Sequence, residues 1–153
     1  MDDERRYWLT CAAVLHDIGW IEGRAGHHKT ALRRILESPL LPWDQRLRRI
    51  IGSIARYHRK ALPSSAHDHF AALSALDQAA VRKLAAILRI ADALDYSHAS
   101  VVADLACRVT AQRLSIRCSV TRAADVECTR AAEKADLAAE VFAKEIRVSW
   151  QRR

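Results

Sequence analysis

A histidine followed directly by an aspartate, His16-Asp17 in the run Leu15-His16-Asp17-Ile18-Gly19, sets an imidazole beside a carboxylate. One metal ion can take both groups as ligands. Further donors follow at Gly26-His27-His28-Lys29, at Arg56-Tyr57-His58-Arg59-Lys60, and along Arg89-Ile90-Ala91-Asp92-Ala93-Leu94-Asp95-Tyr96-Ser97-His98. A mixed imidazole and carboxylate set suits a divalent Mn, Mg, Fe, Co or Zn ion rather than a metal that selects thiolates. Arg56, Arg59 and Lys60 cluster around His58 and are candidate phosphate clamps.

The order His-Asp, His, His, Asp resembles that of the HD superfamily of metal-dependent phosphohydrolases. The segments HDIG, GHHK, ARYHRKALP and RIADALDYSH together look most like the carboxy-terminal HD domain of the exopolyphosphatase and guanosine pentaphosphate phosphohydrolase family. This resemblance spans Leu15 to His98 and continues only weakly beyond. It implies a helical HD-type domain whose metal is held by His16, Asp17, His28, His58 and Asp92, with Asp17 and His58 catalytic. Within the pair His27-His28 the family pattern favours His28, and His27, Asp95 and His98 remain further candidates. Two departures stand out. HD enzymes generally supply another histidine from a helix ahead of the His-Asp pair, and no histidine precedes His16. The family's enzymes also carry an actin-like phosphatase portion with glycine loops, which this chain of only four glycines lacks.

Each candidate has a purely structural alternative. His16 and Asp17 could form a hydrogen-bonded pair at a helix end, and His28 could simply open a helix. His58 lies four residues after Ile54, on the buried side of its helix, where it is either a ligand or a satisfied core histidine. Asp92 continues the apolar stripe Val81, Ala85 and Leu88, and a carboxylate on a core-facing line must be paired or metal-bound to offset its desolvation. Asp92 is therefore a ligand or an ion-pair acceptor. His98 could equally cap the carbonyls at a helix carboxy terminus. His67 and His69 fall in a polar stretch and read as loop residues.

The elements that must position these groups are mostly helices. With half its 153 residues hydrophobic and only three prolines, the chain is long enough to bury a core and is expected to be mostly α. Apolar spacing predicts helices over Glu4–Ile18 (closed by Gly19), His28–Glu37, Asp44–Tyr57, and from Ser74 to Asp95 with Ser74 and Asp77 as an approximate capping box. Residues 61–70 read as a loop. After Ser100 the pattern changes to alternation over Leu114–Val120 and Ile146–Trp150, which predicts strands flanking one helix over Ala124–Lys144, with a third strand near Asp104–Thr110. The expected division is a helical domain over residues 1–102 and a small α+β appendage over 103–153.

The net charge of +7 favours a polyanionic partner such as a nucleotide or polyphosphate. Nucleic acid is disfavoured, because aromatic residues are few and no basic, aromatic-interleaved stripe occurs. Cys11, Cys107, Cys118 and Cys128 form no CxxC pair, so reduced thiols are expected. A start at Met1-Asp2-Asp3-Glu4 lacks signal-peptide character, and a cytoplasmic location with no membrane partner is expected. Two functions follow as expectations. One is a metal-dependent hydrolase of a phosphoester or phosphoanhydride such as a nucleotide, guanosine polyphosphate or polyphosphate. The other is a non-catalytic polyphosphate- or nucleotide-binding module that regulates, dimerises or docks to a separate phosphatase domain.

Overall fold

The computed structural model describes residues 1–153. In chain order it contains α1 (Asp3–Leu15), a 3-10 turn (Ile18–Glu22), α2 (His27–Glu37), α3 (Gln45–Arg56), α4 (Asp68–Ala71) and α5 (Ala75–Leu94). These are followed by β1 (Val102–Val109), β2 (Arg113–Val120), α6 (Asp125–Glu133), α7 (Asp136–Phe142) and β3 (Glu145–Arg152). The protein is mostly helical with one small carboxy-terminal sheet. No helix is long and apolar enough to cross a membrane. The chain divides into two compact units, residues 1–88 and 89–153.

In the first unit, local capping chemistry fixes where helices begin. The Asp2 carboxylate accepts from the Arg5 N–H at 2.8 Å and the Asp44 carboxylate from the Leu47 N–H at 2.7 Å, each satisfying a first-turn donor. At α5 the Ser74 hydroxyl accepts from the Asp77 N–H, while the Asp77 carboxylate turns away to take a bidentate pair from Arg46 on α3 at 2.9 and 2.6 Å. Half of the capping box thus forms, and its acidic partner ties two helices together. Trp8, Ala12, Ala31, Ile35, Ile50, Ile51 and Ile54 make the core between α1, α2 and α3.

The end of α1 departs from the periodic pattern. That pattern predicts a helix to Ile18, but α1 stops at Leu15 and the 3-10 turn leaves Ile18 41% exposed. The turn makes a close contact at Gly19. A Cβ there would sit 2.0 Å from the His27 carbonyl oxygen, so the turn packs directly on the α2 backbone, a close approach that only glycine allows. Arg48 closes the other end of α2, donating to the carbonyls of Ile35, Leu36, Ser38, Leu41 and Trp43. These include helix-terminal acceptors that would otherwise be buried without donors.

In the second unit β1 pairs antiparallel with β2, and β2 pairs parallel with β3 through the helical crossover α6–α7. A parallel pair requires such a crossover because no tight turn can return the chain to the same end of the sheet. Ile116, Cys118 and Val120 alternate inward on β2, with Ala124, Cys128, Ala131, Leu137 and Ala138 among the buried residues of the crossover segment. The single helix expected over Ala124–Lys144 is two, because the Ala135 N–H bonds Ala132 rather than Ala131 and the chain takes a tighter step at Lys134. All four cysteines are free thiols.

Candidate metal centre

The candidate ligands sit at helix ends, where the backbone is free to leave helical geometry. His16 is the residue after α1, Asp17 lies in the turn that follows, His27 opens α2, and His58 falls two residues past α3. Adjacent residues on a helix point about 100 degrees apart, but Asp17 has left the helix at φ −103° and ψ 6°, so its carboxylate can turn to the same side as the His16 ring. Gly26, in the left-handed region at φ 76°, turns the chain into α2 so that His27 faces Asp17.

Asp17, His27 and His58 form a group whose ligand atoms all lie within 4.8 Å of one another. Asp17 Oδ1 is 3.2 Å from His27 Nε2 and 3.8 Å from His58 Nε2, and the two Nε2 atoms are 3.2 Å apart. His16 Nε2 approaches the other oxygen, Asp17 Oδ2, at 3.4 Å. His27 and His58 are 2% and 1% exposed, whereas Asp17 stays half-open. Trp20 packs edge-on against His27 at 5.7 Å and shields one side.

The opposite nitrogens explain what these rings present. His16 Nδ1 is 2.7 Å from the Ala13 carbonyl, His27 Nδ1 is 2.9 Å from that of Arg24, and His58 Nδ1 is 2.6 Å from that of Ala55. A carbonyl oxygen only accepts, so each ring donates from Nδ1, and a neutral imidazole then offers a lone pair at Nε2. Three such lone pairs and a carboxylate converge. Acceptors at this spacing repel unless a cation, proton or metal, lies among them. The fit to a divalent ion is good on two counts. Carbonyl-anchored histidines are the usual arrangement behind metal ligation, and two donors about 2.1 Å from one ion lie no more than about 4.2 Å apart.

The remaining predicted residues are placed as follows. His28 is 2% exposed, and neither ring nitrogen has a hydrogen-bond partner. Burial, then the neighbouring charge of Arg56, pushes its pKa down to about 4, so the ring is neutral. Its ring centroid is 5.5 Å from that of His27 and 6.3 Å from that of His58. Arg59 and Lys60 line a cleft of about 330 Å³ together with Arg24, Gly26, His27 and His28. Arg56 is instead buried, its guanidinium 5.8 Å from the Tyr57 ring centroid and its Nη1 without a partner. Asp92, Asp95 and His98 belong to the second unit. There Asp92 is paired with Lys134 at 2.5 Å, the ion-pair alternative, and exposed Asp95 lies 3.7 Å from exposed His98.

Two features escaped the spacing of residues. Arg24 lines the cleft, yet it stands in a loop where no periodicity marks it. His67 and His69, read as loop residues, stack at 5.7 Å beside Tyr57, whose hydroxyl lies 2.8 Å from His67 Nδ1. Their alternation, two residues apart with Tyr57 ten residues earlier, carried no signal that a fold-independent reading could use.

No curated protein matches the chain. Residues 1–141 match the family described as Ppx/GppA phosphatase, domain III, which covers both the His and Asp cluster and most of the second unit. A match over that much of 153 residues makes this chain a member of the Ppx/GppA phosphatase domain III family.

Proposed function

We propose that the protein is an HD-type, divalent-metal-dependent phosphohydrolase acting on a phosphoester or phosphoanhydride, such as a nucleotide, guanosine polyphosphate or polyphosphate. The observation that carries this reading is the convergence of His27 Nε2, His58 Nε2 and His16 Nε2 on the Asp17 carboxylate, each ring locked by its Nδ1. Membership of a phosphatase family agrees with it. Asp17, His27 and His58 would hold the ion, with His16 beside them. When bound, a divalent metal lowers the pKa of a coordinated water and polarises a phosphoryl oxygen. Asp17 Oδ2, on the open side and 3.4 Å from His16 Nε2, would accept a proton from a water held beside the ion, and His16 would share it. Arg59 and Lys60 attract and orient the anionic substrate along the cleft. His27 and His58 hold their tautomers through the Arg24 and Ala55 carbonyls and keep the cluster rigid.

The second reading, a non-catalytic module that binds polyphosphate or nucleotide and docks to a phosphatase domain or to a second copy, draws on the family description, which is of one domain of a phosphatase. Turnover separates the two. Purified chain supplied with Mn is expected to hydrolyse p-nitrophenyl phosphate, a nucleotide or tripolyphosphate, with the Asp17→Asn variant inactive. Metal binding without turnover of any of these substrates would favour the binding module.

A further inference from the structure

The sheet of the second unit has two edges, and they are finished differently. Residues opposite one another in a ladder share a face, so Leu105, Cys107 and Val109 of β1 lie on the face of Cys118, Ile116 and Leu114 of β2. Ile146, Val148 and Trp150 continue that face on β3. The crossover helices pack against β3, and its three apolar residues are half-buried. On β1, Leu105 and Val109 stay 50% and 64% exposed and Cys107 is exposed beside them. The strand has neither the lysine nor the proline that commonly blunts an open edge.

The backbone of that edge is open too. The Thr110 N–H bonds the Arg113 carbonyl across the hairpin at 2.8 Å, and backbone groups alternate in direction along a strand. Those of Leu105, Cys107 and Val109 therefore point away from β2. The Leu105 N–H is taken up locally by the Asp104 carboxylate at 2.8 Å.

We infer that β1 docks a second copy of this chain, the two β1 strands pairing antiparallel about a two-fold axis at Ala106. The charges of the strand select both the partner and the register. With Ala106 opposite the partner's Ala106, Asp104 stands opposite the partner's Arg108, and the symmetric pair forms on the other side of the axis. Both ion pairs fall at non-hydrogen-bonded positions, where facing side chains come closest. Leu105 stands opposite the partner's Cys107, so the exposed apolar residues cover one another and each such pair exchanges both backbone hydrogen bonds. The Asp104 carboxylate leaves the Leu105 N–H for the partner's Arg108, and the partner's Cys107 carbonyl takes its place. A shift of two residues either way sets Asp104 or Arg108 opposite Ala106 and loses both ion pairs. Pairing joins two three-stranded sheets into one. β1 shares no residue with the metal cluster, and the pairing holds under either functional reading.

Sedimentation velocity on the purified chain, from micromolar to millimolar concentration, should show reversible dimerisation of the 17.2 kDa monomer. Asp104→Arg and Arg108→Asp each bring like charges together at both pairs and should weaken the dimer about tenfold or more. The chain carrying both changes should recover to within about threefold of wild type, a rescue that misfolding would not permit. Register is read by crosslinking in a Cys107→Ser background. Facing residues at a non-hydrogen-bonded position have Cα atoms about 4.5 Å apart, within disulfide reach. Ala106→Cys should therefore give a disulfide-linked dimer with glutathione disulfide, which takes up the electrons and protons of the two thiols as reduced glutathione. Val109→Cys, which lies opposite the partner's Ala103 and far from its own counterpart, should not. A chain that stays monomeric throughout, a dimer indifferent to both single charge changes, or equal crosslinking at positions 106 and 109 would overturn the inference.

Discussion

At the residue scale, the candidate metal centre depends on a close approach as much as on its candidate ligands. Gly19 lets the 3-10 turn lie on the α2 backbone at His27, and it is this contact that brings Asp17 to 3.2 Å from His27 Nε2. Gly19→Ala would drive a methyl group into the His27 carbonyl and is expected to cost about 1–3 kcal/mol of stability. The same variant should weaken metal binding although no ligand has changed, which paired melting and metal titrations would detect. Unaltered affinity would mean that the turn does not position the site. His58→Ala should likewise lower metal content more than His67→Ala, since His58 points its Nε2 into the cluster and His67 pairs with the Tyr57 hydroxyl. Equal effects in the two variants would remove His58 from the ligand set.

At the scale of elements, polar groups decide where helices end and how they respond to pH. Arg48 alone feeds five carbonyls around the α2 terminus, a task that the single ammonium of lysine cannot perform with the same fork. Arg48→Lys is expected to destabilise the chain by about 2 kcal/mol or more, measured by urea unfolding. Acid should also destabilise it. Burial, then the neighbouring His67 and Arg56 charges, pushes His69 down from 6.5 to about 4, so between those values the unfolded chain binds more protons than the folded one. Stability should therefore fall as pH drops from 6.5 towards 4, and His69→Gln should flatten that slope. The Arg46 hydrogen bonds hold Asp77 below its ordinary 3.8, adding stability that is kept above that value and lost as pH falls below it. A pH-independent difference between His69→Gln and the wild-type chain from 6.5 to 4 would refute the assignment.

For the molecule as a whole, what could be read from the chain depended on whether local signals and tertiary contacts agreed. The spans of α2 and α3 followed apolar spacing closely, because Asp44 marks a start and Pro39 follows a stop. β2 and β3 followed from alternation, but the parallel pairing between them did not, since a strand's pattern says which face is buried and not which neighbour it takes. The break between α6 and α7 has no glycine or proline to announce it, and α7 ends at Ala143 in the left-handed region without a glycine. Of the side chains that come together in the candidate site, His16, Asp17 and His58 stand in motifs visible in the sequence. Choosing between His27 and His28 needed the turn at Gly26, which gives His27 the place beside Asp17 and buries His28 without a partner. Metal stoichiometry is the direct measure of what this arrangement does. Elemental analysis of chain purified without chelator, followed by Mn titration of stripped wild-type and Asp17→Asn protein, should find at least one divalent ion per wild-type chain and a loss of binding in the variant. A wild-type chain that stays metal-free under saturating Mn, or an Asp17→Asn variant that binds it equally well, would contradict a metal centre at Asp17, His27 and His58.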